Sequence, residues 1–169
     1  MEIWDGGVSD TFGLSSDDWA FVDGHDALIT MWYDHNGRAL LDRPRRGEFR
    51  AMDFFEERDP NAILRAMGAL DLGFANGTRE LAAELAARGA GNGAPIVVTL
   101  GKEGSLALCE GETFLQEAIP VKRVVDSVGC GDAYMGAFIV SWLADRDVQR
   151  AMRAGAEAGA QCAGRLGPA

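Results

Sequence analysis

ALDLGFANGTRELAAELAARGAGNGAPIVVTL, residues 69–100, is the stretch from which the fold is read. Its start, 69–75, is short and apolar apart from Asp71, and predicts a strand. Over 79–88, Leu81 and Leu85 stand four apart on one helical face, and Gly89 closes the helix. Residues 95–100 are apolar and rich in β-branched side chains (Ile96, Val97, Val98, Thr99), the composition of a central parallel strand. Strand, helix and strand in so short a span make a βαβ unit. The glycines between helix and second strand, Gly89, Gly91 and Gly93, read as a flexible linker.

The same alternation extends on both sides. Upstream, Ser15 precedes Asp18 by three residues, a capping pattern that predicts a short helix over 15–23. An apolar run predicts a strand over 27–32, and 34–47 reads as loop or weak helix around Pro44 and the basic residues Arg43, Arg45 and Arg46. A strand over 51–54 follows, and Asp59-Pro60 supplies cap and first residue for a helix ending near Gly68. Downstream, Glu110-Gly111-Glu112 joins 105–109 to 113–117 as a hairpin. Residues 131–144 predict a helix apolar nearly all round and so buried. A last helix, 147–165, carries the small residues Ala151, Gly155, Ala158 and Gly159 on a face made for close packing. The expected architecture is α/β, with a mainly parallel sheet between helical layers and the whole chain, 1–169, in one domain. The strand over 27–32 is expected to leave an open edge, an invitation to pairing with a second copy.

Composition narrows the function. The chain of 169 residues is 47% apolar and 25% charged, with a net charge of -10. That is a globular composition, and the acidity argues against a nucleic-acid partner. The longest apolar run, 133–144, is too short to span a bilayer, so no membrane partner is expected. Met1-Glu2-Ile3-Trp4-Asp5 has neither a basic start nor an apolar run, so no leader is expected. Cys109, Cys130 and Cys162 are odd in number and widely spaced, which fits reduced thiols in the cytoplasm. His25 and His35 lack zinc spacing to any cysteine.

Two motifs carry chemistry. The first is Asp126-Ser127-Val128-Gly129-Cys130-Gly131-Asp132, leading into the apolar helix. Its glycines let backbone N–H groups approach a ligand, and the helix start adds free donors and the positive end of a dipole. Asp132 beside a bound phosphate is a poor binding residue, since like charges repel. It fits the task of taking a proton from an attacking hydroxyl. An acid that merely stabilises the helix start is the other reading of the same residue. The second motif is Thr99-Leu100-Gly101-Lys102-Glu103-Gly104, at the carboxyl end of a strand, where ligands of open parallel sheets collect. No Walker A loop is present, because Glu103 follows Gly101-Lys102 where Ser or Thr is required. No dinucleotide loop follows a strand either, which disfavours a Rossmann-type oxidoreductase.

Taken together, Thr99-x-Gly101-x-x-Gly104 followed by Asp126-x-x-Gly129-x-Gly131-Asp132 resembles the PfkB or ribokinase family of carbohydrate kinases. The resemblance implies a ribokinase-like three-layer α/β/α fold. It further implies an ATP-dependent phosphotransferase acting on a sugar or sugar-amine hydroxyl, with Mg2+ accompanying the nucleotide. By resemblance Asp132 is the general base, and Gly129, Cys130 and Gly131 form the anion hole. Thr99, Gly101 and Gly104 contact the nucleotide, and Asp126 and Ser127 lie near a possible K+ site. Within the family, Leu14 to Trp19, His25-Asp26-Ala27, Asp53 to Asp59 and Phe74-Ala75 look like the fructoselysine 6-kinase subgroup. The resemblance runs from about Gly6 to the C-terminus and matches the later part of such kinases. The early part of the family supplies the first strands, a Gly-Gly substrate loop and a lid, and Gly6-Gly7 is wrongly placed to be that loop. A nucleotide-binding remnant without turnover is therefore the alternative expectation. The family's Asn-x-x-Glu element is poorly matched, since Asn76 and Glu80 are four apart, and Glu80 reads as a solvated first-turn acid. Trp32, Tyr33 and Asp53, at predicted strand ends, are candidates to face the sugar, with Trp32 as core the competing reading. Lys122 and Arg123 read as a solvated strand end.

Overall fold

The computed structural model describes residues 12–167. The segment read for a leader and Gly6-Gly7 lie outside them. Six strands form one sheet in chain order: β1 (Ala27–Met31), β2 (Phe49–Asp53), β3 (Leu72–Asn76), β4 (Ile96–Thr99), β5 (Ser105–Cys109) and β6 (Glu112–Gln116). The pairs from β1 to β4 are parallel, and β5 and β6 fold back antiparallel as a hairpin. The helices are α1 (Ser16–Val22), α2 (His35–Ala39), α3 (Pro60–Met67), α4 (Arg79–Ala87), α5 (Cys130–Asp145) and α6 (Val148–Ala163). The expected α/β/α layering with a mainly parallel sheet is thus borne out.

Strand alternation divides the core. On β4, Ile96 and Val98 pack with Leu81, Leu85 and Ile63 beneath α3 and α4. Val97 points the other way, joining Phe74, Phe138 and Met152 beneath α5 and α6. Caps set the helix starts as the sequence predicts. Ser15 and Asp18 form a reciprocal capping box on α1, and Asp59 accepts from the Asn61 amide with Pro60 in the first turn of α3.

Several expectations are corrected. β3 begins at Leu72, not 69, because Ala69 and Leu70 donate their amides back to the end of α3, to Ala66 and Met67. The segment 34–47 contains the one-turn helix α2, capped by Asp34, and a 3-10 turn at Leu40–Asp42. The glycines after α4 are not a flexible linker. Ala90 and Gly91 are buried, and Gly91, at φ +82°, passes so close to Leu108 that a Cβ would sit 2.5 Å from its backbone. Helix α5 is not buried all round: Phe138 and Trp142 face the sheet, while Val140 and Leu143 remain exposed. The apolar face of β1 continues that surface, with Ile29 52% and Met31 47% exposed. Among the described residues β1 is also an end strand, paired only with β2, which is the open edge expected of the sheet.

The close packing expected of the small-residue helix is present. Gly155 of α6 sits against the ring of Tyr134 on α5, where a Cβ would stand 3.0 Å from three ring carbons. Gly155→Val is therefore expected to push the two helices apart and cost about 2 kcal/mol, by overpacking. Thermal denaturation would show this as a lowered Tm, and an unchanged Tm would contradict the close α5–α6 contact.

Candidate active site

The carboxyl ends of β2, β3 and β4 and the start of α5 converge on one region. Parallel strands bring their C-terminal ends to one side, and the chain after β6 returns there before entering α5. Gly129 is the N-cap of α5 at φ +78°, a left-handed conformation that suits glycine and turns the backbone sharply into the helix. The helix starts at Cys130, one residue earlier than the sequence predicts, so Asp132 stands in the first turn with its side chain exposed. In that first turn the Cys130 amide donates to the Ser127 carbonyl at 3.3 Å and the Ala133 amide to the Gly129 carbonyl at 2.9 Å, while Gly131 and Asp132, between them, border the site.

Two adjoining cavities occupy this region. The larger is bounded by Thr99, Gly101, Lys102 and Gly104 on one side and by the start of α5 on the other. Its remaining wall is apolar, from Ala118, Ile119, Pro120 and Val121 before α5 and from Ala156, Ala160 and Ala163 on α6. The smaller is bounded by Met31, Asp53, Phe55, Gly129, Asp132 and Met135. Asn76, Thr99, Ser127, Gly131 and Tyr134 border both. The two sequence motifs, far apart in the chain, thus meet at two cavities that share a border.

The residues of the two motifs are held in different ways. The Thr99 hydroxyl is engaged by the protein, donating to Asn76 Oδ1 at 2.6 Å. Gly101, at φ +59°, has open space where a Cβ would project, which leaves its backbone accessible. Gly104 is different: at φ +97° a Cβ would land on the backbone of Gln116 and Glu117, so packing against β6 already demands glycine. Asp126 turns its carboxylate inward, Oδ1 accepting from the Val128 amide and Oδ2 from the Gly167 amide, which hold its pKa below the ordinary range. Ser127 borders both cavities.

Asn76, read only as part of a poorly matched element, and Lys102, quoted in the second motif without a role, both prove to border the site. Asn76 is the last residue of β3 and touches both cavities, and the signal was its place at a strand's carboxyl end. Glu80 caps locally: a hydrogen bond with Thr78 lowers its pKa, and it borders neither cavity. Trp32 packs on Phe54 and donates its Nε1–H to Glu57 at 2.8 Å, the core reading of that residue. Asp53 does face the smaller cavity. Burial raises its pKa, the Phe55 amide works against that, and the charge of Asp132 adds to the rise. Lys122 and Arg123 are exposed and border neither cavity.

Tyr134 and Cys130 stiffen the floor. The Tyr134 hydroxyl pairs with Ser105 Oγ at 2.8 Å, and burial pushes its pKa up to about 12. Burial also pushes the Cys130 thiol up to about 11, helped by the adjacent Cys162 thiol and the charge of Asp126. The Cys162 thiol in turn donates to the Val128 carbonyl at 3.5 Å, fixing α6 to the loop. Alkylation of Cys130 by iodoacetamide, followed by peptide mass against pH, is expected to rise with a midpoint near 11. An ordinary midpoint of about 8.5 would contradict the packed thiol pair. Because the thiol ionises less readily folded than unfolded, its stabilising effect is full below about pH 8.5 and lost as pH climbs to 11.

Among the described residues no three His, Cys, Asp or Glu side chains gather as a metal site. No helix among them is long and apolar enough to cross a membrane.

A family profile described as pfkB family carbohydrate kinase matches residues 64–169. The fructoselysine 6-kinase of Shigella flexneri is 30% identical over 88% of this chain and 58% of its own length. The chain therefore spans little more than half of that relative. Among solved structures, a microbiome-derived acarbose kinase superposes with a TM-score of 0.78 at 24% identity, covering 99% of this chain and 59% of the other. The ribokinase of Arabidopsis thaliana, solved with ribose and ATP, superposes with a TM-score of 0.68 at 20% identity, covering 92% and 55%. These structural likenesses establish a ribokinase-like fold.

Proposed function

The chain belongs to the pfkB family of carbohydrate kinases, and from that premise we propose that the adjoining cavities are the donor and acceptor halves of one phosphoryl-transfer site. The donor is ATP, and the acceptor is a hydroxyl of a sugar or sugar-amine of the fructoselysine kind. The observation that carries this reading is the shared border: residues of both motifs line two cavities that adjoin, one apolar and lysine-bearing, the other carboxylate-bearing.

The donor half suits a nucleotide. Its apolar wall offers a slot for a flat base, and Lys102 offers positive charge for phosphate oxygens. The first-turn amides of α5 suit the transferring phosphoryl group, since they are fixed donors that need no reorganisation as charge develops. The Cys130 amide is engaged by the Ser127 carbonyl, so in this reading the phosphoryl group is met by the amides of Gly131 and Asp132. Magnesium bound with the nucleotide would neutralise phosphate charge, held chiefly by phosphate and water oxygens, since no three acids gather as a metal site among the described residues. In this reading Asp132 orients the acceptor hydroxyl and takes its proton at a carboxylate oxygen as the oxygen attacks. Thr99, tied to Asn76, holds the border between the halves.

The test is transfer itself. Incubation with ATP, Mg2+ and fructoselysine is expected to give a phosphate monoester by 31P NMR, with ADP release dependent on the acceptor. ADP release that ignores every sugar and sugar-amine offered, in folded protein that binds ATP, would refute the proposal and favour a binding-only role.

A further inference from the structure

Two consecutive phenylalanines after β2 have opposite fates. Phe54 is fully buried, whereas Phe55 is 43% exposed and borders the cavity that holds Asp132. Phe55 also adopts φ +52°, a left-handed conformation that is costly for a bulky side chain. The surroundings enforce it. The Phe55 amide donates to Asp53 Oδ1 at 2.8 Å, and the Phe55 carbonyl accepts from the Asn76 amide at 2.8 Å. The ring meets Tyr33 edge-on, with centroids 6.1 Å apart at 86°. Glycine would hold this turn without strain, so the turn alone does not explain the aromatic ring.

We propose, resting on the kinase reading above, that Phe55 determines acceptor specificity: its ring, braced by Tyr33, is the platform for the acceptor's carbon skeleton, and Asp53 receives the acceptor's hydroxyl or ammonium donors. The ring supplies an apolar face beside polar groups, the pairing that suits the C–H face and hydroxyl edge of a sugar. Asp53 Oδ2 makes no hydrogen bond among the described residues, leaving it free to accept one. Among the described residues, Asp53 and Asp132 both border this cavity and no lysine or arginine does, so a cationic nitrogen in the acceptor relieves the repulsion between two carboxylates. The chemistry selects a sugar carrying an amine over a neutral or anionic sugar.

The experiment compares wild type, Phe55→Gly, Phe55→Ala and Phe55→Tyr. It reads nucleotide Kd, saturation-transfer NMR of fructoselysine and of fructose with ADP present, and steady-state kinetics. Wild type is expected to bind fructoselysine more tightly than fructose. Phe55→Gly and Phe55→Ala are expected to raise KM for fructoselysine at least tenfold, with kcat changed less than threefold and nucleotide Kd within twofold. Phe55→Tyr is expected to restore KM, and Phe55→Gly to raise Tm because the backbone strain is gone. If wild type turns over fructoselysine and Phe55→Gly does so with unchanged KM, this inference fails while the kinase reading stands. If wild type binds nucleotide yet neither binds nor phosphorylates any acceptor, the kinase reading fails and takes this inference with it.

Discussion

Asp132→Asn is expected to lower kcat for acceptor phosphorylation by at least about two orders of magnitude, the usual weight of a general base. ATP affinity should stay the same or tighten, because an anion beside the phosphates is removed. The amide preserves side-chain size, and Asp132 is exposed in the first turn of α5, so folding should survive. If Asp132 only stabilised the helix start, the same substitution would cost no more than about 1 kcal/mol and leave turnover near normal. A second readout is independent of activity. Burial is the first cause of the raised pKa of Asp53, and repulsion from Asp132 adds to it. In Asp132→Asn the Asp53 pKa should fall while staying above its ordinary value. NMR titration of the two proteins would show the fall, and identical Asp53 titrations would separate the two carboxylates.

Arg50→Ala is expected to have the largest effect on stability. Arg50 is fully buried at the other end of β2 from the site, where its guanidinium donates to the carbonyls of Leu40, Arg43 and Pro44 and pairs with Glu48. One side chain thus secures the connection from α2 to β2. Its loss strands three acceptors and leaves Glu48 without its cation, a cost of about 3 kcal/mol, at the lower end for a broken buried pair because the Arg46 amide still serves Glu48. The pH dependence has a definite sign. Burial alone would raise the pKa of Glu48, but the amides of Arg46 and of Glu48 itself, with the Arg50 guanidinium, more than offset this and hold it at about 2. A lowered carboxyl pKa gives stability that is present above about 4.5 and lost as pH falls to 2. Without Arg50 the carboxyl protonates more readily, so the gap between variant and wild type should narrow on acidification from pH 7. Urea denaturation at several pH values would reveal it; a constant gap would contradict the pairing.

Much of this architecture is legible in the sequence, for local reasons. Capping at Ser15 and Asp59, β-branched composition at 96–99 and the hairpin at Glu110-Gly111 are written in neighbouring residues. Features that depend on what lies opposite are not. The composition of α5 reads as buried on every side, yet Val140 and Leu143 are exposed because the sheet offers only one surface to cover. Gly91 reads as linker, and only the proximity of Leu108 shows that it is packed. Of the site, the glycines and Asp132 stand out because their spacing is local and unusual. Asn76 and Lys102 do not, since each becomes part of the site only when β3, β4 and α5 are brought together. Phe55 is the extreme case, because nothing in a Phe-Phe pair announces which ring is buried and which backbone is left-handed.

In the proposed site the two motifs hold one nucleotide beside the carboxylate cavity. Backbone NMR with a non-hydrolysable ATP analogue and Mg2+ measures this directly. The largest amide shifts are expected at Gly101, Gly131 and Asp132, with side-chain shifts at Val121, Ala160 and Ala163 from the base and no change at Arg50, at the opposite end of β2. Shifts confined elsewhere, or none at saturating analogue in a folded protein, would contradict it.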